Sequence, residues 1–122
     1  MSATILIVED EFAVARGIQF ALQQEGYDVI VARSGEEGLD IASNQAPDLV
    51  VLDVRLPGMD GFEFVAQTRS DAALRDIPAI LVTSRNGVED RRRGEQVGAR
   101  AYFVKGEFDQ GQLLQTIRTL IG

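Results

Sequence analysis

The 122-residue chain contains no histidine, no cysteine and no tryptophan. The missing histidine removes the commonest general base and the commonest transition-metal ligand. The missing cysteine removes disulfides and thiolate chemistry. Ser-His-Asp catalysis, Cys-His catalysis and zinc sites built on those side chains are therefore excluded. Long hydrophobic runs are absent too, and none approaches the ~20 residues of a membrane span. The opening stretch MSATILIVED has no basic n-region, so no secretory signal is expected and a cytoplasmic location is. Positive charge is also scarce. Twelve basic residues against 19 acidic ones leave a net charge of −7, which argues against nucleic acid as a direct ligand.

The apolar share of 45% is that of an ordinary globular domain. A chain of this length suits one domain, expected over residues 1–122, that buries roughly two thirds of its unfolded surface without staples. Five short runs rich in Val and Ile stand out: Thr4 to Val8, Asp28 to Ala32, Leu49 to Leu52, Ala79 to Thr83 and Ala101 to Val104. Most are continuous rather than alternating, which suits parallel strands covered on both faces. Between them the apolar spacing turns helical. Val14, Ala15, Ile18, Ala21 and Leu22 form one stripe, and Leu113, Leu114, Ile117, Leu120 and Ile121 another. Gly26 is placed to end the first helix. Ser34 with Glu37 makes a capping box for the second. Asp60 can cap a helix through Phe62 and Val65, after a turn at Pro57-Gly58. Asp109 can cap the last. The stretch VEDRRRGEQV, Val88 to Val97, orders its charges to suit a helix dipole. It has few apolar residues and should be a lightly anchored, mobile helix.

Strand and helix thus alternate five times, which predicts a parallel sheet with right-handed crossovers. Five units are too few for an eight-stranded barrel. The remaining common solution is a flavodoxin-like, doubly wound five-stranded sheet of order 2-1-3-4-5, with helices on both faces. Ligands of such sheets bind outside the carboxyl ends of the strands. There the chain places Glu9-Asp10-Glu11, Asp53, Thr83 and Lys105. Three carboxylates in one crevice need cations. Lys105 supplies one charge, and a magnesium ion held through oxygen could supply two more. That pocket would suit a phosphoryl group. Each residue alone also has a plain reading: Glu9 to Glu11 as helix N-terminal charge, Thr83 as a strand residue, Lys105 as surface. Glu11 in particular is expected to be helix N-terminal charge only. Asp53 is the hardest to dismiss, because a carboxylate after the apolar DLVVL is costly unless paired.

Glu9-Asp10, Asp53, the LPGMDG stretch from Leu56 to Gly61, Thr83 after AILV and Lys105 after AYFV, in this order, resemble the CheY-like receiver domain of two-component response regulators. The resemblance covers Ile5 to Ile121. It implies that Asp53 accepts a phosphoryl group from a phosphohistidine on a sensor histidine kinase or phosphotransfer protein. It implies that Asp10 and Asp53 bind Mg2+ directly with the main-chain carbonyl of Arg55, and that Glu9 assists through water. Thr83 and Lys105 would contact phosphoryl oxygens. Thr83 and Tyr102 would move together and reshape a face made by the fourth helix, fifth strand and fifth helix. The reader of that face would be an output protein, a fused output domain beyond Gly122, or a second copy of the chain.

Two features depart from that pattern. Gly106 stands where the family usually has a proline with a cis bond, so a trans bond or strain tolerated by glycine is expected. The stretch VKGEFDQ resembles receivers attached to chemotaxis-type hybrid histidine kinases. Arg55 and Arg85 occupy the two positions that tune phosphoryl lifetime in the family, and two cations there imply slow self-dephosphorylation. Two other functions stay open. A dehalogenase-like phosphatase also uses an aspartyl nucleophile, but wants a second Asp where Arg55 sits. A pseudo-receiver would keep the fold and never take phosphate.

Overall fold

The computed structural model describes residues 2–84, 87–106 and 109–122. Five strands alternate with five helices: β1 (Thr4–Val8), α1 (Phe12–Gln24), β2 (Asp28–Ala32), α2 (Gly35–Gln45), β3 (Leu49–Leu52), α3 (Gly61–Arg69), β4 (Ala79–Thr83), α4 (Val88–Val97), β5 (Ala101–Val104) and α5 (Gln110–Ile121). All pairings are parallel, in the order β2-β1-β3-β4-β5. This is the doubly wound sheet expected from the pattern.

Side chains alternate across each strand, and both sheet faces are covered. Leu6, Val8, Val50, Leu52 and Leu81 meet Phe62, Phe64 and Val65 on the face of α2, α3 and α4. Ile5, Ile7, Leu49, Val51, Ile80 and Val82 meet Ala15, Leu22, Leu113 and Ile117 on the face of α1 and α5. Every residue of the central β3 and β4 is buried, whereas the edge strands β2 and β5 are mostly half-buried. Continuous apolar runs are the sequence imprint of this two-sided cover.

The helix ends follow local chemistry. Asp60 accepts from the Glu63 N–H at 2.9 Å, and Asp109 forms a full capping box with Gln112. Gly26, at φ 91°, closes α1. The box expected at α2 is shifted. Ser34 Oγ accepts from the Glu37 N–H at 3.1 Å, but the Glu37 carboxylate reaches past Ser34 to the Arg33 N–H at 2.7 Å. α4 buries only Gly94, in keeping with its expected light anchorage.

One contact fixes the β3–α3 connection, and with it Asp53. Gly61 donates its N–H to the Val54 carbonyl at 2.8 Å. A Cβ on Gly61 would lie 2.4 Å from the Asp53 carbonyl oxygen and 2.9 Å from Val54 Cα. The first turn of α3 is therefore seated directly on the backbone that carries Asp53. Gly17, in the exposed middle of α1, has nothing within 4 Å of such a Cβ. Gly61→Ala is expected to destabilise the protein by roughly 2–4 kcal/mol, through forced backbone movement. Gly17→Ala should stabilise it by up to about 1 kcal/mol, through helix propensity. Urea denaturation of the two variants beside the wild type measures both.

Candidate functional site

The strand pairing brings the polar residues to one level. Val8 pairs with Leu52, Leu52 with Leu81 and Thr83 with Val104. Glu9, Asp53 and Lys105 each follow one of these paired ends, and Thr83 closes β4. The Asp53 N–H donates to the Val8 carbonyl at 3.1 Å and the Lys105 N–H to the Thr83 carbonyl at 2.7 Å. The ladder thus continues one residue past the strands and delivers both side chains into the crevice.

Glu9 and Asp53 are 2% and 4% exposed, burial that a carboxylate tolerates only with partners. Lys105 Nζ stands 2.9 Å from Glu9 Oε1 and 2.9 Å from Asp53 Oδ2. The second oxygen of each acid takes a backbone donor. Glu9 Oε2 accepts from the Glu11 N–H at 3.2 Å, and Asp53 Oδ1 from the Arg55 N–H at 3.2 Å. Burial nevertheless pushes the Glu9 carboxyl up to about 7. Hydrogen bonds from Lys105 and the Glu11 backbone oppose that rise, and the Asp53 charge adds to it. Burial by itself would lower the Lys105 pKa. Hydrogen bonds to Asp53 and Glu9, with their charges, more than reverse that, so its ammonium is held more firmly than usual.

The donor set fits a hard divalent cation. Glu9, Asp10 and Asp53 each offer a carboxylate oxygen within 4.8 Å of the others. Asp10 is exposed and opens the group to solvent. Oxygen donors alone, with one face open to water, are what Mg2+ takes. A cation there would also reverse the penalty on Glu9, since its charge favours ionised ligands.

The other expected site residues fall as follows. Thr83 is fully buried at the end of β4. The side chain of Arg55 is exposed beside Asp53. Arg85 lies outside the described residues. Tyr102 is half-buried on β5. The Arg91 guanidinium stands 5.1 Å over its ring, and a Cβ on Gly94 would lie 3.1 Å from Tyr102 Cδ2. Gly106 adopts φ 84°, which proline cannot reach, and no described peptide bond is cis. Lys105 still meets both acids. The reading of Glu11 as helix charge alone is corrected. Its Oε1 lies 3.5 Å from Lys105 Nζ, and it makes no side-chain cap to α1. Gly61 went unrecognised as a site residue, although its place next to the Asp60 cap was a usable signal.

The response regulator receiver domain family matches residues 5–118. The transcriptional regulatory protein YkoG of Bacillus subtilis is 41% identical over 117 residues, which are 96% of this chain and 50% of YkoG. The chain spans about half the length of such curated relatives. Among solved structures, the chemotaxis response regulator CheY4 of Vibrio cholerae matches with a TM-score of 0.89 and 32% identity. That match covers 98% of this chain and 99% of CheY4. The Mn(2+)-bound form of response regulator Rcp1 matches with a TM-score of 0.83 and 26% identity, covering 96% and 92%.

Loss of Lys105 tests the electrostatics directly. Glu9 keeps its proton more firmly in the fold than at its ordinary value of 4.5. Its ionisation cost is therefore absent below about pH 4.5 and complete above about pH 7. Lys105→Met is expected to destabilise the metal-free protein by roughly 2–4 kcal/mol at pH 8. At pH 5 the loss should be smaller, because Glu9 can take up a proton. Denaturation curves at the two pH values in the presence of a chelator measure the difference.

Proposed function

This chain belongs to the response regulator receiver domain family, and from that premise we propose that Asp53 is its phosphoacceptor in phosphorelay signalling. The donor is a phosphohistidine on a sensor histidine kinase or phosphotransfer protein. The observation that carries the assignment is the buried Asp53 carboxylate, 2.9 Å from Lys105 at the end of the central strand β3.

A carboxylate oxygen of Asp53 attacks phosphorus. The phosphorus–nitrogen bond breaks, and the donor imidazole leaves with the electron pair. The products are an aspartyl phosphate and the free histidine. No general base is required, because a carboxylate nucleophile has no proton to remove. A chain without histidine can therefore run this chemistry. Lys105 pairs with a phosphoryl oxygen as it arrives and offsets its charge. The Thr83 hydroxyl donates to another phosphoryl oxygen. Asp10 and Asp53 with the Arg55 carbonyl would hold Mg2+, with Glu9 assisting through water. When bound, the ion neutralises charge across the transferring group. The fold neighbour Rcp1 has been solved in a Mn(2+)-bound form, which supports a role for a divalent ion.

Phosphorylation adds charge and acceptor oxygens at the end of β4. Thr83 follows the phosphoryl group and Tyr102 turns inward, so the face of α4, β5 and α5 changes shape. That face engages an output protein, a fused output domain or a second copy of the chain. The domain is a switch that assists its own modification, rather than an enzyme acting on other substrates. Arg55 stands where a dehalogenase-like phosphatase needs its second Asp. The paired Lys105 counts against a pseudo-receiver.

Incubation with Mg2+ and a small acyl phosphate should give an acid-stable, base-labile mass gain of one phosphoryl group, absent in Asp53→Asn. Multiple turnover without an adduct would favour the phosphatase, and neither adduct nor turnover the pseudo-receiver. In the phosphorylated protein, Arg55→Ala is expected to raise the decay rate several-fold. An equal or slower decay in that variant, followed by intact mass over time, removes Arg55 from lifetime control.

A further inference from the structure

The guanidinium of Arg69, at the end of α3, gathers three backbone carbonyls from two other segments. Nε and Nη2 donate to the Gly98 carbonyl at 3.3 and 3.0 Å. Nη1 donates to the Ile77 carbonyl at 2.9 Å and the Arg75 carbonyl at 3.2 Å. Gly98 is the C-cap of α4, at φ 100°, and a Cβ there would lie 3.0 Å from Arg69 Nε. Residues 75–77 lead into β4. One planar fork thus ties α3, the approach to β4 and the C-cap carbonyl of α4. A cation is favourable at that helix end, where the dipole is negative. Burial, then the like charge of Arg100, disfavours the Arg69 cation, and Asp76 opposes them.

The N-terminal end of α4 is built differently. Its N-cap is Gly87, which offers no side-chain hydrogen bond. Val88 is 72% exposed, and Arg91, Arg92 and Arg93 are all exposed. Helix–sheet packing runs through Gly94, whose Cβ position lies 3.1 Å from Tyr102 and 3.3 Å from Leu81, and through Val97 near the Gly98 end. The N-terminal end is also tied to β5, but by an exposed side chain: Arg91 Nη1 donates to the Tyr102 carbonyl at 3.4 Å, longer than any of the four Arg69 contacts to carbonyls, so the two ends are held unequally.

We propose that Arg69 is the pin on which α4 turns, a positioning residue that confines rearrangement of the α4–β5 face to the N-terminal end of α4. The Gly98 end stays with α3 and β4, and the Val88 end swings across Tyr102. The coupling of this swing to phosphorylation rests on the function proposed above. The pin itself does not.

Amide hydrogen exchange in the unmodified protein tests it. The Gly98 and Ala99 amides, bonded to the Glu95 and Gly94 carbonyls, are expected to exchange at least about tenfold more slowly than Arg91, which closes the first turn. Arg69→Met should abolish that difference while the Ile7 and Val51 amides stay protected. Arg69→Lys, which keeps the charge but not the fork, should lose most of it and serves if the Met variant fails to fold. Equal exchange at the two ends of α4 in the wild type overturns the proposal. So does unchanged Gly98 and Ala99 protection in a folded variant. With acyl phosphate added, amide shift changes along α4 are expected to be largest at Val88 to Arg92. Changes as large at Gly98 would sever the pin from switching. Absence of any adduct would count against the phosphoacceptor reading and leave the exchange result standing.

Discussion

The Lys105 ammonium, shared at 2.9 Å between Asp53 and Glu9, makes the crevice possible. Two almost fully buried carboxylates in contact distance of one cation would otherwise repel each other in a poorly solvated space. In the proposed transfer the lysine is also the group that changes partners when the phosphoryl group arrives. It is attached to an edge strand and remains 20% exposed, so its side chain has room to follow. The carboxylates, on the inner strands, do not.

That division of rigidity follows from the sheet. β1 and β3 are covered on both faces, and the parallel ladder joining their ends continues into Asp53, as the β4–β5 ladder does into Lys105. Gly61 then seats the first turn of α3 against the Asp53 carbonyl, at a distance no other residue allows. The Asp53 carboxylate is held from the strand before it and the helix after it. Precision of this kind suits the proposed transfer, in which positioning and charge neutralisation do most of the work.

The opposite holds at α4. Its side chains are mostly exposed, it buries a single glycine, and arginines lie over Tyr102 and Phe62 rather than inside the core. Cation–ring contacts at exposed sites are weak, about 0.5–1 kcal/mol each. Val97 adds a contact with the core, Arg91 Nη1 a hydrogen bond to the Tyr102 carbonyl at 3.4 Å, and Arg69 the hold on Gly98. A stiff pocket and a loosely held face share β4 and β5, which is the arrangement a switch requires.

Much of this was legible in the chain. Continuous Val and Ile runs, helical stripes and end signals placed every strand and helix, because each depends on local periodicity and capping. Acids and a lysine after those runs marked one crevice, since a parallel sheet puts all its strand ends on one side. What the chain did not reveal were contacts between distant residues. Glu11 reaching Lys105, Glu37 bonding Arg33 rather than Ser34, and Arg69 joining three carbonyls depend on side-chain reach across loops. The approach of Gly61 to Asp53 depends on how closely α3 packs on its own connection. Sequence by itself determined the sheet, its order and the chemistry gathered at its edge. Only the tertiary structure decided which cation serves which carboxylate, because burial and distance set those energies, and neither is a property of sequence spacing.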